Sequence, residues 1–396
     1  MTPSGSEVVL LVEQWFERPG HVQANRGFIA LVRASLSSAR VVFACAPKYR
    51  REIGNDPKVE SAVAAWVDCD AWPPGSTLVR EAWRRTVSLW RLAGQLRRKG
   101  IRPTHVVVLG SSGATLAAMC IMRARLPRGC RMFAVLHGNA SEIFLGWRPR
   151  NPLKRLFTFR AMLEFLPTTG MKALALEPWI ADRLRNQLPH LSKSIVCIPL
   201  GFDEGEALPA RVRAADSEGL RILFVGQATP DKGFREFAHL ATIARERPAW
   251  RGEFRVAGAL RRDAADIDQS ALARSAGDRP LARADMLSEL AEADFVFVWQ
   301  SEHYDLSPSG VVLDCVAHGV PMTGRRGPGI KALEQSYGRC GVFAETVEQL
   351  VADLEEVAKS GERSRLAETW LQSLARARAA RTAARLAPDA RRILCE

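Results

Sequence analysis

The chain has 396 residues, more than one typical core needs, so two domains are expected. It is 47% hydrophobic with a formal net charge of +13, a composition that excludes a disordered chain, and no apolar run approaches the roughly 18 residues of a membrane span. The eight cysteines (45, 69, 120, 130, 197, 315, 340, 395) show no C-x-x-C spacing and several sit in apolar runs, so they read as reduced core residues of a cytoplasmic protein, with no zinc site.

In chain order, Val8 to Glu13 reads as a buried strand, Arg18-Pro19-Gly20-His21 as its loop, and Val22 to Ser37 as a helix. Strands follow at Arg40 to Ala46 and, more weakly, Val63 to Asp68. Thr77 to Lys99 has helical spacing. Thr104 to Gly110 is a strand ending in Ser111-Ser112-Gly113 ahead of another helix, and Met132 to His137 is a strand with His137-Gly138-Asn139 past its end. Lys172 to Leu176 (strand), Pro178 to Gln187 (helix) and Ser194 to Ile198 (strand) complete a first domain over residues 1–203. Residues 204–219 are polar and lack periodicity, as a linker does. The pattern restarts with a strand at Leu220 to Val225, a loop from Gly226 to Gly233 and a helix at Phe234 to Arg247. Strands at Phe254 to Ala257, Phe295 to Val298 and Val320 to Thr323 carry a second domain to 360, with a helix at Met286 to Ala293. Thr346 to Lys359 and Glu362 to Arg385 are helical, and the last helix, within 361–396, is free to pack back on the first domain. This alternation predicts two α/β, doubly wound parallel sheets, whose ligands bind beyond the C-terminal strand ends.

The charge is uneven. Residues 1–200 hold 29 Lys+Arg against 13 Asp+Glu, whereas residues 201–396 hold 27 against 30. The excess concentrates at Arg80 to Arg102, Arg123 to Arg131 and Arg148 to Arg160, with Trp83, Trp90, Phe144, Trp147, Phe157 and Phe159 interleaved. Such a surface suits anionic lipid, at about 1 kcal/mol per basic group near the membrane. Solvated Arg-rich helix faces are the plainer alternative, and no nucleic-acid module is present. The N-terminus has no basic n-region or cleavage site, so a soluble or peripheral cytoplasmic protein is expected.

The stretch from Tyr304 to Pro321 is the most informative. Ser307 is a candidate N-cap, Pro308 suits the first helical position, and Gly319 with Pro321 ends the helix. Its N-terminus, with N–H groups at Ser309 and Gly310, suits a phosphate, and Asp314 falls on the same face for sugar hydroxyls.

Three motifs stand in order. Val196-Cys197-Ile198-Pro199-Leu200-Gly201-Phe202-Asp203 is similar to "v-I-P-N-G-v-D". Leu223-Phe224-Val225-Gly226, followed by Lys232-Gly233, is similar to "f-v-G-R-x-x-x-x-K-G". Leu313-Asp314-Cys315-Val316-Ala317-His318-Gly319-Val320-Pro321 is similar to "l-E-A-m-A-x-G-x-P". With these the chain resembles the GT-B glycosyltransferases of the large "group 1" set (family 4, mostly retaining), which use nucleotide-diphosphate sugars. The resemblance implies two Rossmann-like doubly wound domains facing a cleft. It implies that Lys232 places a charge on the diphosphate, that Gly226, Ser307, Ser309 and Gly310 belong to the donor site, and that Asp314 accepts from the ribose. His137 would contact the transferred sugar, and Gly20 and Gly201 would be loop glycines. The donor, UDP- or GDP-linked, is a substrate, so no cofactor or metal is implied.

Two departures stand out. The family's first paired acid falls at Leu306, with Asp305 and Glu302 as nearby substitutes; the family's Arg after the first glycine is Gln227, with Arg261 or Arg262 as candidate replacements. The function implied is transfer of a hexose to a glycan or lipid-linked acceptor in surface polysaccharide biosynthesis, by an enzyme peripheral to the inner face of the membrane and touching anionic lipid but no nucleic acid. A sugar-nucleotide epimerase or hydrolase, or a non-catalytic binding subunit, are the alternatives.

Overall fold

The structure is a computed structural model that describes residues 7–15, 21–71, 78–137, 140–144, 155–202, 204–210, 219–359 and 363–396. Gly20, Gly138, Trp147, Arg148 and Asp203 lie outside the described residues. The chain divides into two units, one of residues 1–203, 306–308 and 381–396, the other of residues 204–305 and 309–380.

The first unit is built on strands β1 (Val8–Val12), β2 (Arg40–Cys45), β3 (Ala65–Asp68), β4 (His105–Val108), β5 (Arg131–Leu136), β6 (Lys172–Ala175) and β7 (Ile195–Cys197). All pair in parallel, in the order β3-β2-β1-β4-β5-β6-β7. Val9 to Val12 are fully buried, because helices cover both faces and a central parallel strand has no solvent side to leave polar. The helices are α1 (Val22–Ser35), α2 (Pro47–Ile53), α3 (Pro57–Ala62), α4 (Leu78–Arg98), α5 (Gly113–Arg123), α6 (Phe159–Glu164), α7 (Leu166–Thr169) and α8 (Pro178–Gln187). Helices α4 to α8 share one apolar core with Leu10 and Val12 of β1 and Val106 and Val108 of β4, so they cover a single face of the sheet.

The second unit has strands β8 (Arg221–Ala228), β9 (Glu253–Leu260), β10 (Phe295–Val298), β11 (Met322–Gly324) and β12 (Gly341–Phe343), parallel in the order β12-β11-β10-β8-β9. Its helices are α9 (Phe234–Glu246), α10 (Arg283–Glu292), α11 (Gly310–His318), α12 (Pro328–Tyr337), α13 (Val347–Lys359) and α14 (Arg363–Ala380). One core sets Phe224, Phe234, Phe237 and Phe297 against α13, while the other sets Leu223, Val296 and Met322 against α10, α11 and α12.

Several elements differ from the sequence expectation. Strand β8 continues past Val225 through Gly226 to Ala228, because Gly226 adopts φ +99° in register with Gly258, a conformation that a side chain resists. The single helix expected from Glu362 to Arg385 is two. The chain breaks at Arg381, whose guanidinium makes two 2.7 Å bonds to Glu177, and Thr382 then caps α15 (Ala383–Cys395), which packs on α1 within the first unit. Helix α12 and strand β12 were not anticipated.

Candidate functional site

In an open parallel sheet, loops diverge where the strand order reverses, and ligands seat beyond the carboxyl ends there. In the second unit the reversal lies between β8 and β10. The loop after β8 turns through Pro230–Lys232, and Gly233 starts α9 with φ +81°. A Cβ at Gly233 would stand 2.1 Å from the carbonyl oxygen of Trp299, so both the conformation and the space require glycine. Lys232 is half-buried, its ammonium 6.0 Å from the centre of the Tyr304 ring, and burial lowers its pKa. No carboxylate offsets that burial among the described residues.

The loop after β10 reaches back to this turn. The Ser301 N–H donates to the Asp231 carbonyl at 2.9 Å and its hydroxyl donates to the Asp231 carboxylate at 3.2 Å. The next helix begins later than expected. Ser309, not Ser307, is the N-cap of α11, accepting from the Val312 N–H, and Pro308 precedes the cap instead of opening the helix. Ser307 is buried, and Leu306, at 3% exposed, joins the first unit's core with its N–H donating to Ser141 Oγ at 3.1 Å. Burial therefore explains the apolar side chain at Leu306. Glu302 is exposed in a 3-10 turn and Asp305 is half-buried at its end.

With the cap at Ser309, the open N–H groups at the helix start are those of Gly310 and Val311, and Asp314 stands only about 6 Å along the axis from Gly310. Gln300 donates to Ser309 Oγ at 3.2 Å, and Arg325, just past the end of β11, donates to the Gln300 carbonyl. Arg261 and Arg262 are exposed beyond β9. Arg325 is thus a cation at the adjacent strand end that the sequence reading missed, although Gly324-Arg325-Arg326-Gly327 ahead of a helix is a readable signal.

Asp314 is engaged within its own unit. Arg283 of α10 donates to both Asp314 oxygens, at 2.8 and 3.2 Å, and to Glu206. The imidazole of His318 lies 3.6 Å from Glu206. Burial raises the pKa of Glu206, but His318 and Arg283 outweigh it and hold the carboxyl at about 2. Arg283 holds Asp314 in one orientation on the outward side of α11.

In the first unit the order reverses between β1 and β4. Glu13, fully buried just past β1, accepts from the Trp15 N–H at 2.7 Å and from Asn25 Nδ2 at 2.9 Å. The Gln14 amide donates to Ser88 Oγ at 3.2 Å, and among the described residues Gln14 Oε1 and Trp15 Nε1 are buried without a hydrogen-bond partner. Such atoms are costly unless a ligand meets them. At the end of β5 stands His137, its ring 3.7 Å from that of His21, the one described non-glycine residue with positive φ. Burial pushes the His137 pKa down to about 4, so its imidazole is neutral at pH 7. Gly201 follows β7, where a Cβ would meet the Arg381 carbonyl at 3.2 Å, which gives this glycine a packing role.

The structure therefore gathers Gly226, Lys232, Glu302, Asp305, Ser309, Gly310 and Asp314 on the strand-end side of the second sheet, while His137 and Gly201 belong to the first unit. Among the described residues no three His, Cys, Asp or Glu side chains form a metal-holding group.

The sequence matches no protein-family model and none of the curated proteins. Solved structures match over almost the whole chain. Anabaena HepE in complex with UDP and glucose is 12% identical with a TM-score of 0.64, covering 98% of this chain and 99% of its own. A glycosyltransferase from Rickettsia africae is 10% identical with a TM-score of 0.62, covering 99% of each chain. A putative UDP-N-acetylglucosamine 2-epimerase from Listeria monocytogenes is 13% identical with a TM-score of 0.56, covering 97% of this chain and 94% of its own. Two parallel Rossmann-like sheets, matched end to end by solved glycosyltransferases, make this chain's architecture the GT-B fold.

Proposed function

We propose that this protein is a glycosyltransferase that moves a sugar from a UDP- or GDP-sugar to a glycan or lipid-linked acceptor in surface polysaccharide assembly, at the cytoplasmic side of the membrane. The observation that carries this reading is the second unit's switch point: a desolvated Lys232 and the N-terminus of α11 stand at adjacent strand ends, a setting made for a dianionic leaving group. The UDP held by the Anabaena relative supports the same ligand class.

In this mechanism Lys232 and the Gly310 and Val311 N–H groups neutralise the departing diphosphate, with Arg325 supplying the second cation that Gln227 does not. Asp314, held by Arg283, accepts from the ribose hydroxyls, and Ser309 contributes through its N-cap position. Neutral His137 donates to or accepts from a sugar hydroxyl. With Leu306 buried, Asp305 or Glu302 is left to face the sugar, and retention of configuration follows the family resembled.

A second reading, a sugar-nucleotide epimerase or hydrolase, draws on the Listeria likeness and on the missing first acid. Incubating the protein with UDP- and GDP-sugars separates them. Transfer predicts nucleoside diphosphate release that rises on adding a lipid-linked glycan acceptor. Full release or an altered sugar without acceptor means the second reading, and no turnover with any donor leaves a non-catalytic binding subunit.

A further inference from the structure

Among the described residues, seven large apolar side chains are exposed, and six of them, Val79, Trp83, Trp90, Ile121, Leu156 and Phe165, fall within one short part of the first unit. That part supplies α4, α5 and α6, which lie on one face of the sheet over one core, with α5 packed between the other two. Burial inward is satisfied by Leu89, Leu92 and Leu96, so the outward residues of α4 are not needed for its packing. At about 100° per residue, Val79, Trp83 and Trp90 fall within about 40° of one another, and Arg80, Arg84, Arg91 and Arg98 flank them along one side. Trp83 is 69% exposed, and the Arg125 guanidinium of the neighbouring segment stacks 3.4 Å from the Trp90 ring centre.

The charge is predominantly positive, although Arg91 lies 4.0 Å from the exposed Asp70. Residues 78–170 contain 17 Lys+Arg and 3 Asp+Glu, and one of those acids, Glu81, is buried in an ion pair with Arg85. An apolar stripe bordered by arginines repels a second copy of itself, since like charges would meet across the contact. Tryptophan at the level of the headgroups with arginine beside it is the chemistry of an anionic lipid–water interface.

We infer that the outward face of α4, extended by Ile121 of α5 and the neighbourhood of α6, docks the first unit on an anionic bilayer surface, with Trp83 inserted at headgroup depth and Arg80, Arg97 and Arg98 on lipid phosphates. Docking places the first unit where a lipid-linked acceptor resides, but it does not depend on the transfer chemistry.

The test is co-sedimentation with phosphatidylcholine vesicles and with equimolar phosphatidylcholine–phosphatidylglycerol vesicles, which reads no catalysis. The protein is expected to sediment with the anionic vesicles only. Trp83→Ser lowers that partition at least about fivefold, and Arg80→Gln with Arg97→Gln and Arg98→Gln at least about tenfold, with wild-type melting temperatures because these side chains are exposed. Failure to bind anionic vesicles overturns the proposal, as does undiminished binding by the Trp83 variant. Preference for single-stranded DNA over vesicles, or a Trp83-dependent dimer in light scattering without vesicle binding, would each assign the face to another partner.

Discussion

Lys232→Met is expected to lower kcat for sugar transfer by about 10²- to 10³-fold, equivalent to about 3–4 kcal/mol of leaving-group stabilisation. The same change leaves the melting temperature unchanged or slightly raised. The reason is the sign of the pKa shift: burial lowers the Lys232 pKa in the folded protein, so at pH 7 its charged form costs stability. A diphosphate relieves that cost and methionine removes it. Steady-state kinetics with a UDP- or GDP-sugar, paired with thermal unfolding of the ligand-free protein, checks both halves. A large drop in melting temperature would make Lys232 a structural residue.

The Arg283 cluster carries the largest expected effect on stability. Arg283→Met leaves Glu206 and Asp314 as half-buried carboxylates without their shared cation, which costs about 3–5 kcal/mol and lowers the second unit's transition by roughly 6–20 °C. Surviving protein has a raised donor KM, because Asp314 loses the group that fixes its orientation. The cluster also sets a pH dependence. Glu206 has a folded pKa near 2, below its ordinary value near 4.5, so the stability it contributes is present above pH 4.5 and is lost as pH falls from there toward 2. That loss amounts to about 3 kcal/mol in full, about 2 kcal/mol of it by pH 3, and Arg283→Met should remove most of it. Urea titrations at pH 7 and pH 3 on both proteins measure the difference. An equal pH dependence in the variant would sink the assignment.

The architecture was readable because central parallel strands are continuous apolar runs, such as Val8–Val12, separated by glycine and proline. The Lys232-Gly233 turn was readable for a local reason too, since only glycine satisfies φ +81° beside the Trp299 carbonyl. Where the sequence offered two adjacent candidates, burial decided. Ser307-Pro308 looks like the better helix start, but Leu306 and Ser307 are drawn inward and the cap moves to Ser309. What could not be read was long-range. Asp314 is held by Arg283, 31 positions away, and Arg283 by Glu206, 77 away; no local spacing announces either pair. The break in the C-terminal helix is of the same kind. An Ala/Arg-rich run gives no stop signal, and the ion pair from Arg381 to Glu177, 204 positions distant, fixes where the chain turns. Arg325 differs, because its Gly-rich strand end is visible in the sequence, whereas Arg261 and Arg262 stand exposed beyond β9.

The central claim, that the second unit's switch point seats a nucleoside diphosphate, is tested most directly by thermal unfolding with UDP, GDP and ADP on the wild type and on Lys232→Met. UDP or GDP at about 100 times its Kd is expected to stabilise the wild type by about 3 kcal/mol, visible as a rise of several degrees, and the variant to lose most of that rise. No rise with any of the three, or an equal rise in the Lys232 variant, would contradict it.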